Sequence, residues 1–137
     1  MRITKTEISV LLLGFFTLFS ACKKKSECGA GTGGSLTLIP KMVHHTRPIN
    51  GCMVYVKFNT SEFPGEDVSK YDLSYKADNT KSEVSIPSLN CGDYYIYAVG
   101  IDSLLDPTNW ICKGGIPYST DQKEGAINLN VYITEGD

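Results

Sequence analysis

Hydrophobic residues between positions 36 and 133 recur mainly at every second place. Leu36, Leu38 and Met42 alternate with Thr37 and Lys41. Cys52, Val54, Val56 and Phe58 share one parity, with Met53, Tyr55 and Lys57 on the other. Tyr71, Leu73 and Tyr75 follow, then the short pair Val84 and Ile86. Tyr94, Ile96 and Ala98 oppose Tyr95, Tyr97 and Val99, and Ile127, Leu129, Val131 and Ile133 oppose Asn128, Asn130 and Tyr132. Period two marks strands with one buried face, because successive strand side chains point to opposite sides. With Ile116–Ser119 as a further candidate, the pattern predicts about seven strands, the count of a small sandwich.

Turn chemistry falls between these runs. RPING (47–51), Phe63-Pro64-Gly65, Asp78-Asn79, Asp106-Pro107 and Gly114-Gly115 supply residues that tolerate or impose turns. No helical period emerges after residue 35, beyond one short turn at Glu66–Lys70. The expectation is an all-β, antiparallel domain over 35–137.

The stretch IPSLNCGDYYIYAVG (86–100) reads as one unit. Leu89 would plug the core, Gly92 would turn the chain, and Tyr94 would bury its ring and rest its hydroxyl on nearby backbone, as a tyrosine corner does. With PINGCMVYV (48–56), ADNTKSEVSIPSLNCGDYYIYAVG (77–100) and AINLNVYI (126–133), it resembles the carboxypeptidase regulatory-like, or prealbumin-like, Ig-like sandwich family. That resemblance implies a non-catalytic module that serves as a spacer, a folding unit or a binding platform.

The start of the chain has a different pattern. Arg2 and Lys5 precede an apolar block from Ile8 to Phe19, which is shorter than the roughly 20 residues of a membrane-spanning helix. Small residues and a cysteine end it: Phe19-Ser20-Ala21-Cys22. A positive start, a short apolar region and small residues before a cut describe a secretory signal. The four residues resemble the lipobox of bacterial lipoprotein precursors. The resemblance implies a signal peptide over 1–21, acylation of Cys22 and anchoring in a membrane. Lys23, Lys24 and Lys25 would lie at anionic headgroups. Lys23, where an Asp would resemble an inner-membrane retention signal, points to the outer membrane, with the domain facing the periplasm or the cell surface. Residues 22–34 read as a Gly-rich flexible tether.

Composition narrows the functions. From residue 35 onward there are eight Lys/Arg and thirteen Asp/Glu, so an acidic domain with no basic stripe argues against nucleic acid. Cys28, Cys52, Cys91 and Cys112 remain once Cys22 is lipidated, and in an oxidising compartment they allow two disulfides in any of three pairings. No nucleophile elbow or calcium loop is present, and Glu62, Glu66, Asp67 and Asp72 lack the spacing of the latter. An enzyme is not expected, and no cofactor is required.

Two constellations remain. His44 and His45, with Met42, Cys52 and Met53 nearby, suit copper or zinc, provided the backbone leaves the strand so that both imidazoles reach one ion. Tyr55, Tyr95, Tyr97 and Tyr132 share outward parity and would form an aromatic face for a glycan or protein partner.

Overall fold

The computed structural model describes residues 28–104 and 110–136. The expected signal peptide, Cys22 and the lysines after it lie outside the described residues. The strands are β1 (Thr32–His44), β2 (Arg47–Pro48), β3 (Met53–Phe58), β4 (Leu73–Lys76), β5 (Ile86–Leu89), β6 (Gly92–Asp102), β7 (Trp110–Thr120), β8 (Glu124–Tyr132) and β9 (Thr134–Glu135). All seven expected strands are present, and the two-residue β2 and β9 are additions. The expected short turn is a 3-10 turn, Val68–Lys70, capped by the Asp67 carboxylate.

The strands form two sheets packed as a sandwich. One has the order β4-β3-β6-β7-β9, antiparallel throughout. In the other, β1 pairs with β2 and β5 antiparallel and with β8 parallel, from Ser35↔Glu124 to Val43↔Tyr132. The parallel pair departs from an all-antiparallel expectation. It arises because the chain changes sheets between β7 and β8, and a strand arriving from another sheet is not bound to the hairpin direction.

Parity decides what is buried. The inward row of β1 is Leu36, Leu38, Pro40, Met42 and His44, and that of β6 is Tyr94, Ile96, Ala98, Gly100 and Asp102. Val54, Val56, Ile86, Leu89, Val131 and Ile133 fill the space between the sheets. The two rows begin at one end of the sandwich and stop at the other. They start in apolar or aromatic residues and finish in a histidine and an aspartate.

The starting end is closed. Cys28 is bonded to Cys91, and Ala30 is buried. Gly92, at φ 144°, passes so close to Ala30 that a Cβ there would collide with it. The Tyr94 hydroxyl donates to the Asn90 carbonyl, and the Asn59 side chain bonds both the amide and the carbonyl of Ala30. Leu89, Gly92 and Tyr94 thus take the positions expected of them. Residues 28–34 are part of this end, although their glycines suggest a tether, and β1 starts at Thr32.

Only one of two possible bridges forms. Cys52 and Cys112 are buried free thiols. Cys112 pairs with Gly100, while Met53, next to Cys52, pairs with Val99, so β6 lies between the two cysteines. Two strand spacings put them about 9–10 Å apart, beyond the roughly 7 Å that a disulfide spans. Gly100 leaves the room that the Cys52 sulfur fills.

Candidate metal centre

The finishing end of the sandwich is polar. His44 is fully buried, and Asp102 is 1% exposed. Asp102 Oδ2 lies 2.8 Å from His44 Nδ1 and accepts from Arg47 Nη2 at 2.9 Å. The His44 hydrogen bond, followed by the Leu104 amide and Arg47, holds the Asp102 carboxyl below its ordinary range despite burial. An ionised carboxylate only accepts, so Nδ1 of His44 carries a proton toward Asp102 and the ring is turned with Nε2 toward Glu135.

That nitrogen faces Glu135. Nε2 of His44 is buried, 3.2 Å from Glu135 Oε1. Hydrogen bonds from its own backbone amide, then from His45 and from His44, hold the Glu135 carboxyl down at about 2. A buried nitrogen this close to a carboxylate needs a cation between them, which is either a proton on Nε2 or a metal ion.

His45 completes the set. Its Nε2 is 3.0 Å from the same Oε1, and the two imidazole centroids are 4.2 Å apart. The three donor atoms all lie within 4.8 Å of one another. Ligands about 2.0–2.1 Å from a tetrahedral zinc are about 3.3 Å from each other, close to the two measured separations.

The backbone explains how neighbouring residues reach one point. β1 and β2 form a hairpin with His44 opposite Arg47, and its two loop residues, His45 and Thr46, have φ of 45° and 73°. Two-residue hairpin turns with both φ positive favour Asn-Gly. A β-branched Thr at positive φ is an outlier, and such strain persists where the surroundings enforce it, often at functional sites. The condition that the chain leave the strand is met by this turn.

Sulfur takes no part in the set. Met42 is on the core row, and the Cys52 thiol points to the Ile49 carbonyl at 3.5 Å. Burial pushes that thiol up to about 12, with Cys112 adding to the rise, so it is a poor thiolate ligand.

The tyrosines do not form one surface. Tyr132 is on β8, in the other sheet from Tyr55, Tyr95 and Tyr97. Tyr95 and Tyr97 are 9% and 3% exposed, because Phe63 lies over them at 5.6 and 5.4 Å and Tyr71 stacks on Tyr97 at 5.7 Å. The segment between β3 and β4 folds back over the sheet, turning the expected open face into a small second core.

Local sequence did not mark Glu135, Asp102 and Arg47 as site residues. One signal was available: Asp102 falls on the parity of Tyr94, Ile96 and Ala98, where an acid needs a partner. No protein-family model matches the chain, and no curated protein matches its sequence.

Proposed function

We propose that this is an exported, lipid-anchored β-sandwich that binds one divalent transition-metal ion through His44, His45 and Glu135. The observation that carries the reading is the convergence of His44 Nε2, His45 Nε2 and Glu135 Oε1 within 4.8 Å, with His44 Nε2 buried 3.2 Å from the carboxylate. A proton would satisfy that pair alone. A third donor, held there by a strained turn, favours a metal ion. Asp102 behind His44 is the carboxylate–histidine arrangement that orients metal-binding imidazoles. Two nitrogens and an oxygen suit zinc, copper(II) or nickel rather than a soft ion.

The lipobox resemblance supplies the location: Cys22 acylated, in the outer membrane. A disulfide at Cys28 is consistent with an oxidising compartment. Five residues separate Cys22 from Cys28, so the closed end would lie within about 20 Å of the lipid. β6 runs from that end to the metal donors and spans about 33 Å. The metal site would then face away from the membrane, and the domain would act as a metal-binding module without catalysis of its own.

Isothermal titration of the full chain in detergent with zinc tests this. One ion per chain is expected, with binding lost in His45→Ala and Glu135→Gln. A wild type that takes up no zinc, copper(II) or nickel would leave the three side chains as a hydrogen-bonded cluster, and the proposal would fall.

A further inference from the structure

We infer that the bound ion keeps one coordination position open and that this position receives a small organic carboxylate whose apolar body rests on Trp110. This deepens the metal reading and rests on it.

Three donors come from the described residues, and zinc and its neighbours take at least four. The other described carboxylate at this end is engaged elsewhere. Asp102 is bonded to His44, to Arg47 and to the Leu104 amide. The remaining position opens outward, because His44 is sealed in the core whereas the side chains of His45 and Glu135 are 63% and 36% exposed.

Charge selects what enters. A divalent ion with Glu135, Asp102 and Arg47 leaves about one net positive charge, in a site whose His44 side is dry. An anionic oxygen donor balances it. Shape selects the rest of the ligand. Glu135 also walls a cavity of about 470 Å³ whose other described lining residues are Trp110, Ile111 and Gly136. That size lies within the range of small-molecule sites. Trp110 is opposite Asp102, and Cys112 is opposite Glu135, in the pairings of β7 with β6 and β9. Trp110 therefore shares the face of both carboxylates. It is 42% exposed and offers a large apolar surface on the wall that it shares with Glu135.

The sole tryptophan of the chain makes the test direct. The full chain in detergent is titrated first with zinc and then with benzoate, acetate or benzyl alcohol, followed by calorimetry and Trp110 fluorescence. Benzoate should bind the zinc-loaded chain about tenfold or more tightly than acetate and shift the fluorescence, while benzyl alcohol and the zinc-free chain should give no response. Trp110→Ala should bring benzoate down to acetate in the calorimeter while leaving zinc affinity within about twofold. If zinc binds but benzoate does not, or binds the zinc-free chain equally well, the inference is overturned and the metal reading stands. Equal binding of acetate and benzoate would remove the role given to Trp110. If zinc itself does not bind, both readings fail together.

Discussion

The inward rows of β1 and β6 start at one end of the sandwich and stop at the other, and the two ends solve the same problem differently. At the closed end the polar groups answer one another inside the protein: Tyr94 bonds Asn90, Asn59 bonds both sides of Ala30, and Cys28 is joined to Cys91. At the open end the same rows place His44 and Asp102 in the interior, and one buried nitrogen is left facing an acceptor. An end whose polar groups all have partners serves folding. An end that keeps a buried donor set incomplete costs stability, and that cost is understandable where a ligand completes it.

The comparison can be broken most forcefully at the closed end. Replacing Cys28 and Cys91 by Ala frees a loop of about 60 residues and should cost about 4 kcal/mol in urea denaturation, while zinc affinity at the far end changes by less than about twofold. A large loss of zinc affinity would mean that the ends are not separate. Next in size is Asp102→Ala, which leaves His44 and Arg47 without their shared carboxylate. It should cost about 3 kcal/mol and weaken zinc by about 10–100-fold.

The same carboxylate gives a pH signature. Its folded pKa lies below the unfolded value of about 3.9, so its contribution to stability is present above that value and is lost as pH falls through the folded one. Asp102→Asn should therefore flatten the loss of stability below about pH 4, measured by denaturation across pH. Tyr94→Phe removes one hydroxyl at the closed end and should cost about 1 kcal/mol, with no effect on zinc. The smallest effect is a gain. Thr46→Gly relieves a positive φ and should raise metal-free stability by about 1 kcal/mol in the same denaturation assay; no gain would mean that the turn is not strained.

The closed end was legible because its elements are local. Leu89, Gly92 and Tyr94 lie within six residues, and their spacing carries the turn and the plug together. Strand parity was legible throughout, since burial of one face writes itself into every second residue. The His44–His45 pair could be read as candidate ligands for the same reason of proximity. Glu135, ninety residues from His45, could not, because only the pairing of β7 with β9 brings it there. Cys28 was obscured by the glycines around it, which suit a tether and a close-packed backbone equally. Tyr95 and Tyr97 have the parity of exposed residues; only the return of the segment carrying Phe63 and Tyr71 buries them.

The central claim is that His44, His45 and Glu135 are held ready for a metal ion, and zinc titration of the wild type beside His45→Ala tests it most directly. His45 is exposed, so its removal should leave the fold intact. The account predicts one zinc per wild-type chain and affinity at least about 100-fold weaker in the variant. Equal affinity in the two proteins, or none in either, would contradict it.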